Sequence, residues 1–164
     1  MSIFLIGLPG SGKTTLGAGL AARLGVPFCD MDQWIVSQSG FTVPQLFAQG
    51  EKVFRDWESR AVAALSGQDM VVACGGGAVL RQENRAMLRA GGRVVWIDRP
   101  VEDILGDVDI SGRPLLAQGK EQVLALDQAR RPLYRQTAHL RFHNRGEPEA
   151  AAEALWQLLK AQEA

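Results

Sequence analysis

The 164-residue sequence has little cysteine, no net charge and no long apolar run. Its two cysteines, Cys29 and Cys74, show no CxxC or histidine spacing, so they are expected to be small buried residues and not a disulfide or a zinc site. No apolar stretch approaches the roughly eighteen residues that a membrane-spanning helix requires. Eighteen basic and eighteen acidic residues cancel, which removes the electrostatic argument for a nucleic-acid partner. We therefore expect a globular protein that binds neither nucleic acid nor membrane.

The length permits one α/β domain with its own core but leaves little room for a second, so residues 1–164 are expected to form a single domain. The opening MSIFLIG has no basic segment before its apolar residues and is interpreted as a strand, not a signal peptide. A cytoplasmic protein is expected, with a monomer as the default for this size. Fourteen of the eighteen basic residues are arginine, which fits either an anion-binding site or a general use of arginine on the surface.

Strand-like and helix-like segments alternate along the chain, which is typical of a parallel sheet flanked by helices, an α/β fold. Short apolar runs predict strands at residues 2–6, 26–29, 70–74, 93–97 and 139–142. Residues 109–120 lack periodicity and contain two glycines. A structureless segment of this length in a compact domain is usually functional, so it is interpreted as a mobile lid that closes on the substrate.

The segment Gly7–Thr14 fits the phosphate-loop pattern GxxxxGK[ST], with a predicted strand before it and a helix after it. Glycines allow successive backbone N–H groups to point at phosphate oxygens, and the positive end of the following helix strengthens the attraction. Lys13 is expected to reach the β and γ phosphates, and the Thr14 hydroxyl to ligate Mg²⁺. The predicted ligand is a nucleoside triphosphate with Mg²⁺.

Aspartates follow two of the predicted strands. Asp30 and Asp32 come after the second strand, and on an extended segment they would face the same side. One carboxylate near Mg²⁺ and one near the acceptor hydroxyl is what phosphoryl transfer needs, although the pair equally suits capping of the next helix. Asp98, at the end of VVWID, is a further candidate for binding the metal. The alternative is that it is a turn or helix-cap residue. Because ligands bind at the carboxyl ends of parallel strands, all three acids are candidates for the site.

Arginines and glycines supply further signs of an anion site. Arg131 and Arg135 are one helical turn apart, and like charges at that spacing are destabilising unless something neutralises them. Asp127 is one neutralising partner, a solvated basic face is a second explanation, and an anionic ligand is a third. The run Gly75–Gly77 costs backbone entropy and packs nothing, which indicates either close approach of a ligand to the main chain or a bare turn.

Six motifs, in their order along the chain, resemble the shikimate kinase family. They are GLPGSGKTT at Gly7–Thr15, DMDQW at Asp30–Trp34, GEKVFR at Gly50–Arg55 with Glu58 after it, CGGGAV at Cys74–Val79, GRPLL at Gly112–Leu116 and RRPLYRQTA at Arg130–Ala138. The resemblance implies a three-layer P-loop kinase fold with a five-stranded parallel sheet of order 2-3-1-4-5. It also implies a substrate-binding region at about 31–62 and a lid at about 109–120.

The activity implied is transfer of the ATP γ-phosphate to the 3-hydroxyl of shikimate, in aromatic amino acid synthesis. By motif position, the implied residues are Asp32, Lys13 and Arg113 for catalysis; Gly10, Ser11, Gly12, Lys13, Thr14, Thr15, Arg113 and Arg145 for ATP; Asp32, Arg55, Gly76, Gly77 and Arg135 for shikimate; and Thr14 and Asp30 for Mg²⁺. Asp32 is the implied base, Arg55 and Arg135 clamp the carboxylate, and Arg113 closes over the transferring phosphate.

The chain departs from the family pattern before the lid. Family members commonly carry an arginine there that helps to hold ATP, where this chain has Gly106, Asp107 and Asp109. On the other side of the adenine, the resemblance points to Asn144, Arg145 and Pro148.

Two other functions remain as alternatives. The first is a kinase of another small hydroxy acid such as gluconate, because P-loop folds serve many acceptors. The second is a non-enzymatic nucleotide switch. A GTPase needs a guanine-reading NKxD motif, and the sequence contains no NK pair.

Overall fold

A computed structural model describes residues 1–110 and 117–163. The strands are β1 Ser2–Ile6, β2 Phe28–Asp30, β3 Val71–Ala73, β4 Gly92–Asp98 and β5 Leu140–His143. The helices are α1 Lys13–Leu24, α2 Met31–Ser39, α3 Val43–Gln49, α4 Glu51–Leu65, α5 Gln82–Gly91, α6 Val101–Ile110, α7 Ala117–Thr137 and α8 Pro148–Glu163. The five strands pair in parallel in the order β2-β3-β1-β4-β5, which confirms the predicted fold class and strand order.

The sheet is covered by helices on both faces because successive residues of its strands point in opposite directions. In β1, Phe4 and Ile6 belong to one buried cluster, which includes residues of α2, α4, α5 and α7. Leu5 belongs to a second buried cluster, formed with α1 and α8. The central strands are apolar along nearly their whole length because both of their faces are buried. The result is three layers: helices, sheet and helices.

Helix α1 begins at Lys13, directly after the phosphate loop. Gly10 and Gly12 have φ angles of 83° and 97°, a left-handed region that side-chain-bearing residues rarely adopt. The loop therefore requires glycine at both positions for its shape. The helix ends at Leu24, and Gly25 follows it with a left-handed φ angle of 70° that closes the last turn.

The predicted segment boundaries differ most from the structure at two places, and the ends of β3, β4 and β5 each differ from the prediction by one residue. β2 lies at Phe28–Asp30 and not at 26–29, because its three residues pair with β3. The segment 109–120, expected to lack regular structure, is helical at both described ends, since α6 continues to Ile110 and α7 begins at Ala117. Gly119, one of the two glycines of this segment, lies inside α7, where glycine costs about 1 kcal/mol relative to alanine without ending the helix. Residues 111–116 lie outside the described part of the chain.

Within the described residues, none of the helices combines the length and apolarity needed to cross a membrane.

Candidate active site

A cavity of about 420 Å³ opens at the carboxyl ends of the strands, where α/β folds bind their ligands. Its lining brings together the phosphate loop, the aspartate pair, the glycine run and the segment after β5. The lining residues are Pro9, Gly10, Gly12, Lys13, Thr14, Thr15, Leu16, Asp30, Asp32, Ala73, Cys74, Gly75, Gly76, Arg99, Asp107, Asn144, Gly146 and Pro148.

The side chain of Lys13, at the start of α1, folds back over the phosphate loop. Its ammonium donates hydrogen bonds to the carbonyl oxygens of Gly7 and Leu8, at 2.7 and 2.8 Å. Burial lowers the pKa of Lys13 to about 8, and the nearby Asp32 carboxylate partly opposes this effect. The group is thus a cation fixed in place beside the loop, where it can meet phosphate oxygens.

Asn144, which directly follows the edge strand β5, is hydrogen-bonded to the phosphate loop. Its side-chain amide donates to the carbonyl of Ser11 at 2.8 Å, and its backbone N–H donates to the carbonyl of Asp98 at 2.8 Å. A Cβ at Gly12 would lie 2.6 Å from the Asn144 amide nitrogen, so the buried amide also requires glycine there. Sequence reasoning placed Asn144 only near the adenine, and its role in holding the loop was missed.

Asp30 both caps α2 and faces Thr14. One carboxylate oxygen accepts from the Gln33 N–H at 3.2 Å, and the other accepts from the Thr14 hydroxyl at 3.1 Å. Asp30 therefore caps α2 and also faces the candidate metal ligand Thr14, so the two interpretations made from the sequence are compatible. The two oxygens of Asp30 and Thr14 suit Mg²⁺, which favours oxygen ligands and completes its shell with water and phosphate. Among the described residues, no cluster of three or more His, Cys, Asp or Glu forms an all-protein metal site.

Asp32 lies in the first turn of α2, so the expected extended geometry for the pair is wrong. Both side chains nevertheless line the cavity, because α2 begins directly at the end of β2. The buried Oδ1 of Asp32 has no hydrogen-bond partner among the described residues. Burial and the neighbouring Asp30 carboxylate raise the pKa of Asp32, while Lys13 and Arg55 counteract them. An unsatisfied buried carboxylate is costly, which is expected where it serves a ligand.

Arg55 and Glu58 form a buried ion pair beside Asp32. The Arg55 guanidinium donates to Glu58 at 2.8 Å and to Glu51 at 3.3 Å. Burial raises the pKa of Glu58, which is 1% exposed and has one oxygen without a hydrogen-bond partner in the part of the chain that the structure describes. The sequence motif included Glu58 but assigned it no role. Its i, i+3 spacing from Arg55 is the signal that predicts this pair.

The run Gly75–Gly77 makes room for side chains of the protein itself, carboxylates at Gly75 and arginines at Gly76 and Gly77. A Cβ at Gly76 would lie 3.0 Å from Nη1 of Arg130, and a Cβ at Gly77 would lie 2.8 Å from Cζ of Arg55. None of the three glycines has a positive φ angle, so space and not backbone conformation requires them. A bare turn does not account for these contacts, because guanidinium groups approach the main chain. Gly75 and Gly76 also line the cavity, so contact of the run with a ligand stays a prediction.

Arg130, and not Arg135, reaches this site from α7. The Tyr134 hydroxyl donates to the Gly76 carbonyl at 2.7 Å, and Arg130 lies one turn before Tyr134 on the same helical face. Its charge contributes to the low pKa of Lys13, which places the two cations near each other. Arg135 is exposed, whereas Arg130 is half-buried beside Gly76. The assignment of Arg135 to the substrate clamp is therefore not supported, since its position on the helix directs it elsewhere.

Three further predicted residues, Asp98, Arg145 and Arg113, have different outcomes. Asp98 is held by Arg131 and Arg141, so the alternative in which it ligates the metal finds no support. Arg145 is exposed and outside the cavity lining, whereas its neighbour Gly146 is part of the lining. Arg113 lies outside the described residues.

Comparison with known proteins decides the family. The shikimate kinase family model matches residues 9–160. A shikimate kinase of Clostridium botulinum (strain Alaska E43 / Type E3) is 40% identical over 158 residues, which cover 96% of each chain. The solved structure of a shikimate kinase from Acinetobacter baumannii in complex with shikimate superposes with a TM-score of 0.89 at 35% identity, covering 98% of this chain and 93% of the other.

The chain belongs to the shikimate kinase family. The family phosphorylates shikimate with ATP, and the described cavity contains the phosphate loop that this activity requires. A gluconokinase from Sinorhizobium meliloti also superposes, with a TM-score of 0.54 at 15% identity over 99% of this chain and 97% of that one. At that identity the likeness shows the shared fold alone.

Proposed function

We propose that this protein transfers the γ-phosphate of ATP to the 3-hydroxyl of shikimate, with Mg²⁺ as the metal. One observation carries the proposal. The half-buried carboxylate of Asp32, whose buried Oδ1 has no hydrogen-bond partner among the described residues, lies near both Lys13 and Arg55, and Arg130 lies beside the neighbouring Gly76. A substrate with a hydroxyl at one end and a carboxylate at the other matches this order of charges.

The phosphate loop holds the triphosphate. Backbone N–H groups of Gly10–Thr15 and the start of α1 provide donors and a positive dipole end for phosphate oxygens. Lys13 exchanges its carbonyl partners for β and γ phosphate oxygens and neutralises charge there. Mg²⁺ would be held by Thr14 and Asp30, and when bound it supplies positive charge to the transferring phosphate. Arg113 of the lid and Arg145 remain proposed ATP contacts from the family resemblance.

The arginines orient the acceptor. Arg55 and Arg130 bind its carboxylate, and a guanidinium matches a carboxylate in planar shape and in paired hydrogen bonds. Glu58 holds Arg55 in place, and the main chain at Gly76 and Gly77 completes this side of the pocket. Arg130 takes the position for which sequence reasoning proposed Arg135.

Asp32 positions and deprotonates the hydroxyl. As the oxygen forms its bond to the γ-phosphorus, the carboxylate accepts the hydroxyl proton, and the bond to the leaving ADP oxygen breaks. The raised pKa of Asp32 makes it a better proton acceptor than an ordinary exposed aspartate. We propose that the enzyme acts in the cytoplasm, as a monomer and without nucleic-acid or membrane partners.

An acceptor comparison tests the proposal. The purified protein with MgATP is expected to release ADP rapidly with shikimate and only at background rate with gluconate. The fold likeness to a gluconokinase makes gluconate the appropriate competing acceptor. Turnover with gluconate and none with shikimate would replace the proposal by the first alternative. ATP binding with no acceptor-dependent turnover would favour a nucleotide switch.

The pH dependence provides a separate test of Lys13. Because the pKa of Lys13 is lowered to about 8, the cation is lost in the free enzyme as the pH rises through that value. We expect kcat/KM for ATP to fall above about pH 8. At saturating ATP the bound phosphates favour the charged lysine, so kcat persists to higher pH. A kcat/KM for ATP that stays constant to pH 9.5 would contradict the assignment.

A further inference from the structure

Asp98, at the end of β4, joins two arginines of different elements. Arg131 of α7 donates from both terminal nitrogens to the two Asp98 oxygens, each at 3.2 Å, and Arg141 of β5 donates to Asp98 from Nε at 2.9 Å. The Asp98 side chain is 9% exposed. Burial alone would raise the pKa of Asp98, but the hydrogen bonds from both arginines hold it below its usual range. The carboxylate is therefore ionised at neutral pH.

The Arg131 guanidinium has a fixed plane as well as a fixed charge. Its Cζ lies 5.1 Å from the centre of the Trp96 ring, and Asp127, one turn earlier on α7, accepts from it at 3.1 Å. A guanidinium that is paired with two carboxylates and packed on an aromatic ring has little freedom to rotate. Arg131 thus fixes α7 to β4 at one point.

Helix α7 needs such a contact at this point. Pro132 lies inside the helix, so the N–H that would bond the preceding turn is missing directly after Arg131. The described contacts hold the helix on both sides of the proline, through Arg131 on Asp98 and through Tyr134 on the Gly76 carbonyl. Arg130 lies in the same segment, with its side chain toward Gly76 and Lys13.

We infer that Asp98 and Arg131 are positioning residues for acceptor binding, which fix the rotation of α7 so that Arg130 points into the acceptor side of the cavity. The inference rests on the proposed role of Arg130. The pair itself is not expected to touch either substrate, because its charged atoms are already bonded to each other, to Asp127 and to Arg141. Its effect is therefore expected in the KM for shikimate and not in the KM for ATP.

Arg141 provides a matched control. It pairs with the same carboxylate and stacks on the same ring, with its Cζ 4.5 Å from the Trp96 centre, but it belongs to β5 and not to α7. His143, whose Nδ1 lies 4.0 Å from Asp98, also belongs to β5. Removing Arg141 takes away a similar amount of charge and packing and leaves the Asp98 contact to α7 in place.

The experiment measures steady-state KM values for both substrates and the melting temperature. Arg131→Ala is expected to raise the KM for shikimate about tenfold, as displacement of an orienting group does, with the KM for ATP within about twofold. Arg131→Lys keeps the charge but loses the paired geometry and is expected to recover part of the affinity. Asp98→Asn should resemble Arg131→Ala, and Arg141→Ala should leave both KM values unchanged.

A double variant separates a positioning role from a general structural one. If Arg131 acts through Arg130, Arg131→Ala is expected to add nothing to the KM for shikimate once Arg130→Ala is present. Independent, multiplied effects would overturn the inference, as would equal changes in both KM values or an equal effect of Arg141→Ala. If Arg130→Ala alone leaves the KM for shikimate unchanged, the proposed role of Arg130 fails, and the inference fails with it. A raised KM in Arg130→Ala with none in Arg131→Ala overturns the inference alone.

Discussion

Asp32→Asn is expected to lower kcat by about 10² to 10⁴, the usual contribution of a positioned general base. The amide has nearly the same shape as the carboxylate but cannot accept the proton from the acceptor hydroxyl. ATP binds through the phosphate loop, so its dissociation constant should change little. The measurement is a steady-state assay of ADP release combined with calorimetric titration of the nucleotide.

The matched control is Asp103→Asn, which changes an exposed aspartate in the first turn of α6. It is expected to keep full activity. Retention of more than about a tenth of the kcat by Asp32→Asn would rule out the residue as the base. Loss of ATP binding in the same variant would show instead that the phosphate loop depends on the charge of Asp32.

Arg130→Ala is expected to raise the KM for shikimate about 10- to 100-fold, the cost of losing a charge-assisted hydrogen bond to a carboxylate. The KM for ATP should change far less, because Arg130 faces the glycine run and not the nucleotide end of the cavity. Initial-rate assays with each substrate varied in turn measure both constants.

Arg135→Ala, five residues further along the same helix, is the control for this substitution. Its side chain is exposed, and the KM for shikimate should remain unchanged. The opposite result, with a raised KM in Arg135→Ala and an unchanged one in Arg130→Ala, would restore the assignment made from the sequence. It would also mean that α7 rotates when shikimate binds.

Much of the site could be predicted because its residues are local in sequence. The phosphate loop, Lys13 and Thr14 form one continuous motif, whose glycines are dictated by the loop's backbone shape. Asp30 and Asp32 follow a strand whose carboxyl end must lie at the ligand-binding edge of a parallel sheet. The strand order came with the family resemblance, because helix and strand alternation alone does not determine it.

Sequence reasoning did not determine which face of α7 each arginine occupies. It also missed contacts between residues of different strands and helices. Three arginines occur within Arg130–Arg135, and their spacing alone does not decide which one enters the site. Tyr134 contains the missing signal, because a lone tyrosine inside a helix marks the buried face, and Arg130 shares that face at i, i+4. No local pattern reveals that Asp98 would meet Arg131 and Arg141, or that Asn144 would hold the carbonyl of Ser11.

The glycine run illustrates a further limit of sequence reasoning. The entropic cost of three glycines signals close approach of some group, but the identity of that group depends on tertiary structure. Here the groups are the carboxylates of Asp32 and Glu58 at Gly75, the side chains of Pro9 and Arg130 at Gly76, and Arg55 at Gly77. The functional conclusion survives, because these arginines are the ones proposed to bind the acceptor.

The most direct test of the central claim is phosphorus and proton NMR of the product formed from MgATP and shikimate. The account predicts a single shikimate phosphate, with the phosphorus coupled to the proton on the carbon of the 3-hydroxyl, formed in equal amount to ADP. Release of free phosphate without a phosphorylated acceptor, or a phosphate on a different hydroxyl, would contradict it.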